Sequence, residues 1–207
     1  LKDSDFDLIE HDIVKPAPDL GNFDNVLNIA SPASPTEFRS RAAEIAAVNS
    51  VGTQNLINVA RESGAKFFLA STSEAYGDPQ VNPQPETYWG NVNPVGERSC
   101  YDESKRFAET LTYIARQSYG LDTRTVRIFN TYGPRQRLDD GRAVVDFIVR
   151  AVRGDPLIVH GDGSQTRSWC YVDDLVDGQQ GEVDGHYFDD GPHPSQGGPD
   201  RRAGVAT

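Results

Sequence analysis

Tyr101 and Lys105 stand four residues apart in the string Tyr101-Asp102-Glu103-Ser104-Lys105-Arg106, which reads as helix. At that spacing the two side chains share one helix face, one turn apart. An ammonium beside a phenol favours the tyrosinate and lowers the tyrosine pKa. That makes Tyr101 a usable general base near neutral pH. Taken alone, the pair is as readily an ordinary surface helix pair, since Y-x-x-x-K recurs by chance. Upstream, Thr72, Ser73 and Glu74 follow the apolar string Lys66-Phe67-Phe68-Leu69-Ala70-Ser71. If that string is a buried strand of a parallel sheet, its C-terminal end is where ligands bind. Thr72 can then hydrogen-bond the substrate oxygen that Tyr101 deprotonates, and Glu74 can serve as a second base or orienting group. The plainer alternative is a polar strand-to-loop turn in which Thr72 and Ser73 only satisfy backbone donors.

Placing these groups together requires a framework, and the pattern supplies one. Residues 6–10 and 25–30 read as strands, and 36–63 as one long helix with Gly64 as its C-cap. Residues 66–71 read as a buried strand, and 77–98 as a long loop rich in Pro, Asn and Gly. A helix is expected over 101–119, ending at Gly120, then a strand over 122–129. A helix over 144–153 with its cap near Gly154, a short strand over 156–160 and the start of a helix at 172–176 complete the pattern. This alternation predicts an α/β fold, a Rossmann-like, doubly wound parallel sheet buried on both faces. After Gly178 the sequence turns to Gly, Pro and Asp with little apolar periodicity. Residues 1–178 are therefore expected to form the domain, and 179–207 a disordered or aberrant tail.

Bulk properties narrow the function. The chain has 207 residues, 37% of them hydrophobic, and a formal net charge of −11. That charge argues against non-specific nucleic-acid binding, which needs a basic surface. Cys100 and Cys170 have no metal-ligand spacing and read as free thiols in a reducing compartment, hence a cytoplasmic protein. The apolar runs are too short to span a membrane. No leader opens the chain, and its first residue is Leu1 rather than Met, so the natural start is expected to lie upstream.

The strings HDIVKP, NIASPAS, VNSVGTQNLI, LASTSEAYGDP, YDESKR, RIFNTYGPR and GDGSQTRSWCYVDDL resemble the extended short-chain dehydrogenase/reductase superfamily. Within it they look most like the UDP-glucuronate decarboxylases, which make UDP-xylose with NAD as cofactor. The resemblance runs from about Phe6 to Gly178. It implies that Tyr101 takes the sugar 4-hydroxyl proton, with Thr72 on the same oxygen and Glu74 near the sugar ring. Lys105 would lower the Tyr101 pKa and hold the nicotinamide ribose. Asp12 and Ile13 would hold the adenine, and Ala30, Ser31 and Ala70 would line the cofactor. Asn130 and Arg167 would grip the substrate diphosphate, and Arg142, Val159 and His160 the uridine. The family usually carries Tyr where His160 stands.

Ser73 bears on which reaction follows. Dehydratase relatives have Thr-Asp-Glu where this chain has Thr72-Ser73-Glu74. An acid at the middle position can protonate a leaving hydroxyl. A decarboxylase substrate brings its own carboxylate, beside which a second negative charge is unfavourable. The neutral Ser73 therefore favours UDP-glucuronate decarboxylation through a 4-keto sugar over dehydration; epimerase relatives also tolerate a neutral residue there, and the strings ASPAS and YWGNVNPVGERSCYDESKR favour the decarboxylase. A dTDP-glucose 4,6-dehydratase-like enzyme, an NDP-sugar epimerase and a non-catalytic remnant that only binds or dimerises remain alternatives. The family's Gly-rich first βαβ unit and most of its substrate domain find no match here, so impaired activity is expected. A homodimer through the helices at 36–63 and 101–119 is also implied.

Overall fold

The structure, a computed structural model, describes residues 7–139 and 141–184. Its centre is a three-stranded parallel sheet in the order β1 (Asn25–Asn28), β2 (Lys66–Thr72), β3 (Thr123–Ile128). Parallel neighbours need crossover connections, and helices supply both. Between β1 and β2 run a 3-10 turn (Pro35–Glu37), α1 (Ala42–Ala47), a π-helical turn (Val48–Gly52) and α2 (Thr53–Ser63). Between β2 and β3 runs α3 (Ser99–Tyr119). Helices α2 and α3 end at Gly64 and Gly120, both in the left-handed conformation expected of a helix C-cap.

β2 is the middle strand, and all its residues after Lys66 are buried. Its Phe67 and Leu69 join Val26 of β1, Ile57 and Ala60 of α2, and Ala108 and Ala115 of α3 in the main core. A strand covered on both faces reads as a continuous apolar run, which is why it was legible. A second cluster of Phe38, Ile45 and Tyr101 lies beside it. Asn49 Nδ2 donates to Ser104 Oγ at 3.0 Å, tying the π-helical turn to α3.

A second, two-stranded parallel sheet joins β4 (Asn130–Tyr132) to β5 (Trp169–Tyr171), with α4 (Ala143–Arg153) between them in sequence and α5 (Val172–Asp184) after.

The structure corrects four expectations. Residues 7–10 are not a strand, and Phe6 lies outside the described residues. Leu8 and Ile9 are exposed, and no strand pairs with them. The helix expected over 36–63 is interrupted, since residues 38–41 leave the helical path and Val48–Gly52 widens into a π turn. The strand expected over 156–160, which includes Val159 and His160, is an exposed irregular segment belonging to neither sheet. An extended run needs a neighbour for its N–H and C=O groups, and apolar composition alone does not provide one. Finally, α5 continues to Asp184, past the boundary placed after Gly178. Residues 185–207 lie outside those described, so the expected tail is represented only by its helical first part.

Candidate active site

Thr72 ends β2 and caps the 3-10 turn Ser73–Tyr76, its hydroxyl accepting the Glu74 N–H at 3.2 Å. Gly77 closes that turn at φ 66°, ψ −133°. A Cβ there would lie 2.1 Å from the Asn91 carbonyl oxygen, so only glycine permits the chain to turn back at this point. The turn thereby holds Ser73 and Glu74 at the C-terminal edge of the sheet.

Tyr101 comes to the same edge from the first turn of α3 and is only 7% exposed. Its ring stacks on Phe38 at 5.0 Å between centroids. Burial pushes its phenol above the ordinary tyrosine range, and the hydrogen bond with Thr72 pulls it back down. Glu74 and Asp102 add to the rise, whereas Arg142 opposes it. The structure thus brings together Thr72, Glu74, Tyr101 and Arg142. Arg142 also donates from Nη2 to the Ala33 carbonyl at 3.3 Å, on the segment that follows Ala30 and Ser31.

Lys105 is 5% exposed, one turn further along α3. Its Nζ donates to the Ala70 carbonyl at 2.9 Å and stands 5.9 Å from the centre of the Tyr101 ring. Burial lowers its pKa to about 8, against a pull upward from Glu109. The ammonium is therefore seated on the backbone of β2, and burial rather than Lys105 dominates the phenol.

Other expected positions are distributed as follows. Asp12 and Ile13 sit on a loop that α2 holds in place, because Asn55 Nδ2 donates to the carbonyls of Ile13, Val14 and Lys15. Gly52 admits that loop, since a Cβ on it would lie 2.7 Å from Ile13 Cδ1. Asn130 Nδ2 donates to the Ser168 carbonyl at 3.4 Å, which brings it beside the segment bearing Arg167. Val159, His160 and Arg167 are exposed, and Arg167 bonds only locally, to the Thr166 carbonyl.

Several participants escaped the sequence reading. Arg98 Nη2 donates to Glu74 at 2.6 Å, and its Nε lies 3.8 Å from Asp102. Glu109 accepts from Arg127 through two bonds, at 2.9 and 2.7 Å, and from the Ser71 hydroxyl. A polar residue at helical spacing from the catalytic pair was the available signal for Glu109, four positions after Lys105. Asn55 lies on the side of α2 away from its core residues Ile57 and Ala60, where it meets the loop at Ile13–Lys15, and no pattern pointed to it.

The residues present fit the nicotinamide ribose side of NAD. Ser31 Oγ is buried beyond the end of β1 without a partner, and Lys105 commits one of its three N–H donors to Ala70. Both are groups that ribose hydroxyls can satisfy.

Comparisons with known proteins agree with this geometry. Residues 4–179 match the NAD dependent epimerase/dehydratase family. The chain is 49% identical over 187 residues to UDP-glucuronic acid decarboxylase 5 of Arabidopsis thaliana, covering 90% of this chain and 54% of that protein. It therefore spans about half the length of that relative. Among solved structures, it is similar to the UDP-glucose 4-epimerase of Thermotoga maritima crystallised with UDP-glucose, at 31% identity and a TM-score of 0.69, covering 76% of this chain and 50% of that one. It is also similar to the UDP-glucuronic acid 4-epimerase of Bacillus cereus in complex with UDP-glucuronic acid and NAD, at 28% identity and a TM-score of 0.67, covering 77% and 49%.

Proposed function

The chain belongs to the NAD dependent epimerase/dehydratase family, and on that premise we propose that it serves NAD-dependent decarboxylation of UDP-glucuronate to UDP-xylose. The observation that carries the reading is Ser73. It stands at the edge of the sheet between Thr72 and Glu74, where a neutral hydroxyl spares the substrate carboxylate a like charge. Close identity to a UDP-glucuronic acid decarboxylase supports it.

Lys105 and Ser31 would hold NAD at the ribose and Asp12 and Ile13 at the adenine, and when bound it would supply hydride removal at the sugar C4 and its return. Tyr101 takes the proton of the 4-hydroxyl, and the Thr72 hydroxyl bonded to the phenol steadies the resulting charge. The Arg98 guanidinium on Glu74 screens a carboxylate that otherwise keeps the phenol protonated. Once C4 is a ketone, the C5 carboxylate lies β to it. The C5–carboxyl bond breaks, its electron pair passes to the C4 oxygen as an enolate, and CO₂ leaves without an acid. The enolate then takes a proton from water at C5, and Tyr101 gives its proton back to the C4 oxygen as the ketone is reduced again to the hydroxyl. Asn130 and Arg167 hold the diphosphate, and Arg142, Val159 and His160 the uridine.

A homodimer through α2 and α3 accords with the apolar side chains α3 leaves exposed, Phe107, Tyr113 and Ile114. The described residues contain no helix long and apolar enough to cross a membrane, and both cysteines are free. A cytoplasmic location is in keeping with both.

Product analysis tests the reading. The chain, and its fusion to the flanking segments of the Arabidopsis relative, are incubated with NAD⁺ and UDP-glucuronate and followed by mass spectrometry. UDP-xylose, lighter by CO₂, is the expected product. A product isomeric with the substrate identifies an epimerase, as in the Bacillus cereus structure. Loss of water from dTDP-glucose instead identifies a dehydratase.

A further inference from the structure

Lys105 has no carboxylate on its ammonium, yet it lies almost wholly out of water. Burial of a cation without compensation drives off its proton. The compensation lies one turn along α3, where Glu109 shares its helix face. Two consecutive residues of β2 receive these two side chains. The Ala70 carbonyl accepts from Lys105 Nζ, and the Ser71 hydroxyl donates to Glu109. Behind Glu109, Arg127 of β3 contributes a two-pronged bond through Nε and Nη2. The Arg127 guanidinium is itself held over the Tyr76 ring, 4.6 Å from its centre. Glu109 is thus fixed in position by three donors and oriented by two strands.

We propose that Glu109, clamped by Ser71 and Arg127, is the positioning residue that keeps the buried Lys105 in its ammonium form. Arg127 has two opposed effects in this arrangement. It fixes the carboxylate, and it also offsets part of the negative charge that Lys105 feels. Tyr101 and Glu109 flank Lys105 on its own helix, and Arg127 of β3 bonds Glu109. Glu109 opposes the effect of burial on Lys105. The functional consequence rests on the role given to Lys105 above, because only the ammonium presents three donors to a ribose and a full charge to a tyrosinate.

The clamp predicts a lowered Lys105 midpoint when the Glu109 charge is lost or withdrawn, which a loosening of the structure does not. The whole chain contains four lysines, so the Cε–Hε NMR signals of lysine-labelled protein are sparse, and Lys105→Arg assigns the one of interest. In the unaltered chain the Lys105 signal is expected to titrate near 8. In Glu109→Gln the midpoint falls by about one pH unit, because a neighbouring negative charge is gone. In Glu109→Asp, which keeps the charge on a shorter arm, it falls by less. Local unfolding would admit water and raise both midpoints towards about 10.4, the value of a free lysine. An unchanged or raised midpoint in Glu109→Gln overturns the proposal. If that variant does not fold, Glu109→Asp decides, and no change or a rise there overturns the proposal. Neither titration needs cofactor or substrate. Titration as expected in a chain whose fusion to the flanking segments makes no UDP-xylose therefore sinks the decarboxylase reading and leaves the clamp intact.

Discussion

In the decarboxylation proposed above, Tyr101→Phe is expected to lower UDP-xylose formation by about 10²–10⁴-fold, the usual contribution of a positioned general base, while the protein stays folded. The structure separates the two effects. Phenylalanine keeps the ring that stacks on Phe38 and fills the same buried volume. What is lost is one hydroxyl and its bond with Thr72, worth about 1 kcal/mol of stability. Thr72 keeps its second task, accepting the Glu74 N–H, so the turn that carries Ser73 is undisturbed. Turnover by mass spectrometry and a denaturant melt on the same samples check both halves. Wild-type turnover in the variant would remove Tyr101 from the role of base. Lost turnover with a lowered melt would instead point to a structural role.

The residues that made this prediction possible were legible because each lies at a position that local pattern defines. Phe67, Phe68 and Leu69 form an apolar run long enough only for a strand, which puts Thr72 at its exit. Tyr101 and Lys105 share a helix face by spacing alone. The charges that tune them were not legible. Arg98 meets Glu74 across 24 positions and Arg127 meets Glu109 across 18, each pair joining separate elements. No periodicity reports such partners. The same limit explains the missed strands. β4 and β5 have three residues each, Asn130–Tyr132 and Trp169–Tyr171, too few to show an alternation, and they exist through pairing with each other. The converse error occurred at 156–160, where apolar composition suggested a strand that has no neighbour to bond. At the end of the described chain the loss of apolar periodicity after Gly178 suggested a boundary. Helix α5 runs through it.

Asp102→Asn stabilises the protein, and the gain depends on pH. Asp102 follows the proposed base directly, is 7% exposed, and leaves Oδ1 buried without a partner. Burial and the neighbouring Glu74 raise its pKa from 3.8 to about 6, with Arg98 resisting and Glu103 adding slightly. Between those values the unfolded chain has released the proton and the native state still holds it. The unfolded state therefore binds fewer protons, so stability falls as pH rises through that window. Below it the carboxyl is neutral in both states and costs nothing. Above about 6 the full cost is present. A shift of this size corresponds to about 2 kcal/mol once residual hydration of the carboxyl itself is allowed for. Asparagine carries no charge in either state, so its advantage should be small near pH ~4 and level off above pH ~7, where Asp102 is ionised. Urea midpoints of both proteins across that range measure the difference. A gain independent of pH would mean that the native carboxyl is already ionised throughout, contrary to its burial. The variant also bears on catalysis, because the Asp102 anion pushes the Tyr101 phenol upward. Removing it lets the tyrosinate form at lower pH, so the alkaline rise in activity should move towards neutrality. A destabilising carboxylate beside the base would then act as a control on when that base becomes available.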